Sequence, residues 1–335
     1  MGARITMRIF RQIADIPQDF GPTLVSVGNF DGVHRAHTRV LTTIAERARR
    51  QGVKSVAVCF EPHPSRILRP GTGPKLLTPT PEKLRLLSPL GIDAVLLLPF
   101  TRDLSLLSPR EFAEDILKKG LQAREVHEGY NFHFGHKAAG SVATLIELGK
   151  LLGFEVAEYP EMRLRGEPVS SSHIRSLLSQ GRVNRARHLL ARPFSITSEP
   201  VQGRGLGSKY TVPTINLARY DEMVPRDGVY ITRTRIRADG NLTRGECFNS
   251  VTNVGHRPTF GGDSFAIETH LLNFHPIDLG PETEVEVEFL NRLRDEIKFP
   301  SVEALRRQIS SDVKKAERYF RLGALCAPRF EMSDG

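Results

Sequence analysis

The sequence has no tryptophan, few cysteines and no long apolar run. Its cysteines, at positions 59, 247 and 326, are widely separated and form no C-x-x-C pair, so they suggest no disulfide pairing. The longest apolar run, residues 94–100, is too short to cross a bilayer. No apolar segment of the kind found in a secretory leader follows the basic N-terminal stretch. We therefore expect a cytoplasmic protein with reduced thiols and no membrane partner.

The chain also lacks the patterns that RNA-binding modules use. Its net charge of +9 is compatible with nucleic acid, a membrane surface or phosphorylated small molecules. However, it has no RRM-type aromatic run, no KH loop and no interleaved basic and aromatic residues. The densest basic cluster, residues 47–50, lies in a predicted helix, where a solvated face is the usual explanation. This disfavours an RNA-binding regulator, and we expect no nucleic acid partner.

The first half of the chain predicts an α/β domain. Short apolar or β-branched runs alternate with segments of helical spacing, which is typical of a parallel sheet with crossover helices. The predicted strands are residues 23–27, 55–60, 94–98 and 125–127, and the predicted helices are residues 36–50, 109–119 and 139–152. At 335 residues the chain is long enough for a second domain.

After about residue 190 the pattern changes to the period of two that half-exposed antiparallel strands show. Residues 228–237, 266–274 and 283–290 follow it, and a helix is predicted over residues 301–319. We therefore predict a Rossmann-like parallel-sheet domain over residues 1–188. A small antiparallel β-barrel domain with a C-terminal helix should follow over residues 189–335.

The segment VGNFDGVHRAHTRVL, residues 27–41, carries the most chemical information. A strand ends in a glycine-containing turn, and His34 and His37 stand at the start of the next predicted helix. Unpaired N–H groups and the helix dipole make such an end a good anion site, and two imidazoles there can donate hydrogen bonds to a triphosphate. Taken alone, H-x-x-H is more often a pair of surface or capping histidines, and the later Ser-Ser-Ser at residues 170–172 is more often a helix cap.

Residues 28–37 together resemble the nucleotidyltransferase signature G-x-F-D-G-x-H-x-G-H, with Ala36 in place of its last glycine, the one between the two histidines. Three further segments follow in order. Residues 60–64 resemble F-x-P-H-P, residues 129–135 resemble G-x-D/N-F-x-F-G, and residues 169–175 resemble S-S-T-x-I-R. In this order, the four segments resemble the FAD synthetase half of the bacterial bifunctional riboflavin kinase/FAD synthetase family.

The resemblance implies a first reaction, in which an FMN phosphate oxygen attacks the α-phosphorus of ATP and pyrophosphate leaves. No general base is needed, because the nucleophile is already an anion. Positioning and charge neutralisation, helped by Mg²⁺, would carry the catalysis. The implied residues are catalytic His34, His37 and Arg175; nucleotide-binding Gly28, Asn29, Phe30, Asp31, Asn131, Ser170, Ser171 and Ser172; and flavin-binding Phe60, Pro62 and His63.

A second motif is the glycine-rich segment GRGLGSKYTVPTINL, residues 203–217. It is not a Walker A loop, and Pro213 prevents a following helix, so by itself it could be a flexible loop between strands. It resembles the riboflavin kinase pattern G-x-x-x-G-x-x-x-G-F-P-T-A-N, with Ser208, Thr211 and Val212 replacing the family's arginine, glycine and phenylalanine. The implied nucleotide-binding residues are Gly203, Gly207 and Lys209, and the implied Mg²⁺ ligands are Thr214 and Asn216.

Glu268 matches the catalytic glutamate of the same family, although a lone glutamate on a strand usually faces solvent. Residues 289–299 resemble the family's F-L-x-x-L-R-x-E-x-K-F and place Arg294 near the flavin. The resemblance runs from about residue 22 to residue 320, and it implies an enzyme that phosphorylates riboflavin with ATP and then adenylylates FMN to FAD. The alternative is an FMN adenylyltransferase whose altered kinase domain only binds flavin, and a pure flavin sensor would leave two nucleotide motifs unused. A homo-oligomer is left open.

Overall fold

The computed structural model describes residues 6–201, 214–237, 245–259, 262–275 and 282–326. The chain divides into two compact units, Met1–His173 and Ile174–Gly335. The domain limit predicted near residue 188 stays a prediction. Within the described residues, no helix combines the length and the apolar character that a membrane span requires.

The first unit is built on a six-stranded sheet in the order β1-β4-β3-β2-β5-β8, in which every neighbouring pair is parallel. Two small antiparallel ribbons, β6 with β7 and β9 with β10, accompany it. The strands are β1 Arg8–Phe10, β2 Thr23–Val27, β3 Lys54–Glu61, β4 Ala94–Pro99, β5 Ala123–Gly129, β6 His133–Phe134, β7 Gly140–Ser141, β8 Glu155–Tyr159, β9 Arg163–Leu164 and β10 Glu167–Pro168. The predicted Rossmann-like parallel sheet is confirmed.

Helices connect these strands, and α7 runs across the limit between the two units. They are α1 Arg35–Gln51, α2 Pro64–Leu68, α3 Thr80–Leu87, α4 Arg102–Leu106, α5 Pro109–Glu111 continued by the π-helix Phe112–Gly120, α6 Val142–Leu152 and α7 Ser171–Ser179. Short 3-10 turns lie at Ile13–Asp15, Gln18–Phe20, Ser88–Leu90 and His136–Ala138.

Both ends of α1 follow from its sequence. The His34 side chain caps the N-terminus by accepting the His37 backbone N–H, and Gly52 ends the helix in the left-handed conformation with φ +67°. Leu41 and Ile44, fully buried, lie on the apolar stripe that the helical spacing predicted. These contacts fix the start of α1 next to the end of β2.

The two faces of the parallel sheet are covered differently. Residues of α1 pack on one face around Leu24, Ala57 and Val95. On the other face Val25 and Val126 pack against the π-helix, α6 and several phenylalanines. A parallel sheet buried on both faces reads as continuous apolar strands, which is what β2, β3 and β4 show.

The second unit is a seven-stranded antiparallel sheet curled into a half-barrel, in the order β11-β17-β14-β15-β16-β13-β12. Ala316 of the last helix packs on Val229, Ile231 and Val251. The elements are α8 Val183–Leu190, β11 Phe194–Ser198, β12 Pro200–Val201, β13 Thr214–Leu217, β14 Gly228–Arg237, β15 Glu246–Thr259, β16 Gly262–Leu271, β17 Glu284–Arg294 and α9 Val302–Cys326. The predicted antiparallel domain with its C-terminal helix is confirmed.

The interior of this half-barrel contains a cluster of hydroxyl groups that are fully buried. Thr232 Oγ1 lies 2.8 Å from Ser250 Oγ and 2.7 Å from Thr252 Oγ1. Thr269 joins the cluster through Thr252 and Thr234, at 2.9 Å from each hydroxyl oxygen. Because every hydroxyl can both donate and accept, the group satisfies itself away from water. Ser250 and Thr252 of β15 are buried although they are polar, so β15 lacks the alternation of apolar and polar residues and is absent from the predicted strands.

Candidate functional site

A cavity of about 1100 Å³ opens in the first unit where the strands of the parallel sheet end. Val27 at the end of β2, Phe60 near the end of β3 and Gly129 at the end of β5 all line it. The chain adds β3 and β4 on one side of β2 and then crosses to add β5 on the other side. Ligands of open parallel sheets bind at such a switch point, beside the carboxyl ends of the strands.

Most of the residues predicted for the adenylyl-transfer site line this cavity. They come from the turn after β2, from the start of α1, from β3, from the segment after β5 and from the start of α7. They are Gly28, Asn29, Phe30, His34, His37, Phe60, Asn131, Ser170, Ser171 and Ser172. Ala36, the departure from the signature, is also part of the cavity wall, so its methyl group is placed to affect what binds there.

His34 and His37 form a stacked pair at the start of α1. Their ring centroids are 3.6 Å apart at an interplanar angle of 18°, and Phe30 meets His37 edge-on at 5.2 Å. Burial lowers the pKa of His37 well below its usual value, and the neighbouring His34 and Lys83 lower it further. His37 therefore meets a ligand as a neutral imidazole, which can still donate one hydrogen bond.

Asp31, predicted as a nucleotide-binding residue, contacts two other segments of the first unit. Its buried carboxylate accepts hydrogen bonds from the backbone N–H groups of Leu77, at 2.9 Å, and of Thr78, at 3.0 Å. Its backbone carbonyl accepts the Ser171 hydroxyl at 2.8 Å. These contacts tie the turn after β2 to the segment before α3 and to the start of α7. Nucleotide contact by Asp31 stays a prediction, and the geometry indicates a positioning role.

The opposite side of the cavity is aromatic. Phe60 packs edge-on against Phe100 with ring centroids 5.5 Å apart, and Phe134 packs on Phe112 and Phe132 at 5.8 and 5.4 Å. We call Phe60, Phe100, Phe112, Phe132 and Phe134 the aromatic wall, and all of them line the cavity. Only Phe60 was predicted at a flavin site. Phe132 and Phe134 lie in a motif that was recognised, so their aromatic character could have indicated this wall.

Pro62 and His63, also predicted at the flavin, are not among the described residues that line the cavity. The His63 ring caps α2, where Nδ1 lies 2.8 Å from the Ser65 hydroxyl and accepts the Ser65 N–H at 3.2 Å. Flavin contact by these two residues stays a prediction. Arg175 lies one helical turn after Ser171 on α7, in the part of that helix assigned to the second unit.

Sequence reasoning missed Glu128, a carboxyl group at the end of β5. The residue is 4% exposed, lines the cavity, and accepts the backbone N–H of Val27 at 2.6 Å through Oε1. Burial raises the pKa of Glu128 well above its usual value, and the Val27 N–H offsets this only in part. This carboxyl group, whose environment favours the protonated form, thus joins the ends of β2 and β5. Glu128 directly precedes the motif at residues 129–135, and no sequence pattern includes it.

The second unit brings the predicted kinase residues together by strand register. Asn216 on β13 pairs directly with Glu268 on β16, and Glu268 pairs on its other side with Asn253 of β15. Directly opposed residues of antiparallel strands project to the same face with Cβ atoms about 4.5–5.5 Å apart. Thr214 lies two residues before Asn216 and so shares that face. Hydroxyl, amide and carboxylate oxygens thus converge on one patch of the sheet.

Arg294, predicted at the flavin, is held by the last helix. Its Nε and Nη2 atoms lie 2.9 and 2.8 Å from Asp312 Oδ2, and its guanidinium is 5.8 Å from the Phe299 ring centroid. The pair fixes the end of β17 against α9, and flavin contact stays a prediction. Gly203, Gly207 and Lys209, with the substituted positions Ser208, Thr211 and Val212, lie outside the described residues.

Comparison with known proteins assigns each half of the chain to a family. Residues 16–173 match the family described as FAD synthetase, and residues 190–320 match the family described as riboflavin kinase. A bifunctional riboflavin kinase/FMN adenylyltransferase of Pseudomonas fluorescens is 35% identical over 96% of this chain and 99% of its own length. Its counterpart in Escherichia coli K12 is 30% identical over 94% of this chain and 98% of its own length.

A solved structure shares the whole fold. The crystal structure titled as a macrolide-efflux protein from Streptococcus pneumoniae superposes with a TM-score of 0.81 at 26% identity. The match covers 93% of this chain and 99% of that chain. Both units therefore have the same architecture in a second protein.

Proposed function

The chain belongs to the bifunctional riboflavin kinase/FMN adenylyltransferase family, and we propose that it converts riboflavin to FMN and FMN to FAD with one ATP in each step. The observation that carries the proposal is that each unit holds its own site of a different chemistry. One site is a cavity at the start of a helix with two stacked imidazoles, and the other is a sheet patch where a carboxylate faces an amide. The matches to both families favour two activities over a flavin-binding remnant of the kinase.

In the adenylyl-transfer step, an FMN phosphate oxygen forms a bond to the α-phosphorus of ATP, and the bond to the β-phosphate breaks to release pyrophosphate. The start of α1 supplies the positive end of a helix dipole, and His34 and His37 supply imidazole N–H donors for the negative charge that develops. The start of α7, at Ser171 and Ser172, provides a second helix N-terminus beside the cavity. The aromatic wall offers a face on which the flavin ring can stack.

In the kinase step, the riboflavin 5′-hydroxyl attacks the γ-phosphorus of ATP, ADP leaves, and a base must take the hydroxyl proton. We assign this base to Glu268, because it is the carboxylate that strand register places opposite Asn216. Thr214 and Asn216 would hold Mg²⁺, whose preference for hard oxygen ligands their hydroxyl and amide oxygens fit. The cation would neutralise charge on the transferring phosphate.

The adenylyl-transfer unit and the kinase unit are proposed to act on small molecules only. Riboflavin, FMN and ATP are the partners that the two sites explain. The cytoplasmic location and the absence of a nucleic acid partner remain predictions from the sequence. Whether the protein is a homo-oligomer remains open.

The experiment that tests the function is product analysis by chromatography. Purified protein with riboflavin, ATP and Mg²⁺ should form FMN and then FAD, and the absence of both products would refute the proposal. Glu268→Gln should slow FMN formation by about 10²–10⁴-fold, because it removes the base, while FAD formation from supplied FMN continues. Equal loss of the two activities in this variant would contradict the two-site model.

A further inference from the structure

The carboxyl group of Glu128 has one oxygen committed and one available. Oε1 accepts the Val27 N–H at 2.6 Å, and the described part of the chain offers Oε2 no hydrogen bond. Oε2 is also not among the buried side-chain atoms that lack a hydrogen-bond partner. Since Glu128 lines the cavity, Oε2 is accessible from it. The backbone contact therefore orients the carboxyl group and leaves Oε2 for a ligand.

The position of Glu128 in β5 decides which part of the cavity it serves. Alternate strand residues point to the same face, so Glu128 lies on the same face as Val126. Val126 packs in the core cluster that also contains Phe112 and Phe134, two members of the aromatic wall. His34 and His37 start α1, which covers the opposite face.

Resting on the proposed function, we propose that Glu128 is a flavin-binding residue that donates a hydrogen bond from Oε2 to an acceptor on the isoalloxazine edge of FMN. The aromatic wall suits a flat apolar ring, whereas a triphosphate needs the helix end on the other face. The isoalloxazine edge carries mostly acceptors, two carbonyl oxygens and two ring nitrogens, and a single N–H. A carboxyl group must be protonated to donate to such an edge.

The surroundings of Glu128 favour the protonated form. Burial raises the pKa of its carboxyl group. Strand β2, on one side of Glu128, carries no charged side chain. On the other side, Glu158 of β8 pairs with Glu128 in the strand register, and this residue is exposed. The segment after β5 contributes His133, His136 and Lys137, and the segment after β8 contributes Glu161, all on the cavity wall. A bound flavin ring would exclude more water and favour the neutral acid further.

The test is steady-state adenylylation by the full-length protein at pH 6 to 8.5, with KM measured separately for FMN and for ATP. Glu128→Leu removes the donor and should raise the KM for FMN about tenfold at pH 6, with the KM for ATP unchanged. Glu128→Gln keeps an N–H donor that does not titrate. The ratio of the KM for FMN of the wild type to that of Glu128→Gln should therefore rise with pH. Titration of the FMN phosphate affects both proteins equally and cancels in this ratio.

Phosphorylation of riboflavin by the same preparations shows whether each variant is folded, since Glu128 has no part in that site. If Glu128→Leu leaves the KM for FMN within about twofold of wild type, or raises the KM for ATP instead, the assignment is overturned. A Glu128→Gln variant that follows the wild-type pH profile would overturn it too. Failure of the proposed function would look different, because the wild type itself would then form no FAD.

Discussion

At the scale of single residues, the neutral state of His37 leads to a pH prediction. Burial lowers its pKa in the folded protein well below the 6.5 of an unfolded chain. Below pH 6.5 the unfolded state binds a proton that the folded state resists, so stability present above that pH is lost as pH falls. The free energy of unfolding should thus fall more steeply with acid in the wild type than in His37→Gln, as measured by urea unfolding.

His133→Gln is the control, because it changes an exposed histidine of the same unit. Its stability should follow the wild-type pH profile. In assays of FMN adenylylation, His37→Gln should lower kcat by about 10²–10³-fold, the usual effect of losing one donor to developing charge. A wild-type rate in this variant would remove His37 from the catalytic set.

At the scale of secondary-structure elements, the bond between β17 and α9 is the clearest target. Asp312 is buried, accepts a hydrogen bond from Arg294 Nε and forms an ion pair with Arg294 Nη2. Asp312→Asn should lower the free energy of unfolding by about 1–3 kcal/mol, because the amide pairs poorly with the guanidinium. It should also raise the KM for riboflavin if Arg294 helps to hold the ring, and kinase kinetics check this.

The matched control is Asp221→Asn, which makes the same chemical change in an exposed ion pair with Arg219. Such pairs contribute about 0–1 kcal/mol, so stability should barely change. Equal destabilisation by the two variants would show that Asp312 does not join β17 and α9 in the way described. FAD formation from supplied FMN should persist in both.

At the scale of the whole molecule, two separate sites predict complementation. Glu268→Gln lacks the kinase base and His37→Gln lacks a donor of the adenylyl-transfer site, so neither alone should make FAD efficiently from riboflavin. A mixture of both should make FAD, because FMN formed by one molecule can diffuse to the other. Chromatography over time measures this. A mixture that accumulates FMN without FAD would mean that FMN must pass between the sites of one molecule.

The sequence by itself determined the features that local patterns encode. Apolar runs spaced by helices predicted the parallel sheet, and alternation at period two predicted β14 and β17, because side-chain direction repeats along a single element. Chemical motifs are also local. The site residues within segments 28–37 and 170–172 could be predicted because each motif is contiguous in the sequence, and the structure places most of these residues on one cavity.

Only the tertiary structure decided what depends on register and burial. β1 joins the sheet beside β4, far along the chain, and Asn216 meets Glu268 through pairing that no local pattern specifies. The fully buried hydroxyl cluster of the half-barrel and the raised pKa of Glu128 arise only when distant strands close around these groups. A carboxyl group changes its chemistry when it leaves water, and the sequence alone does not show where water is excluded.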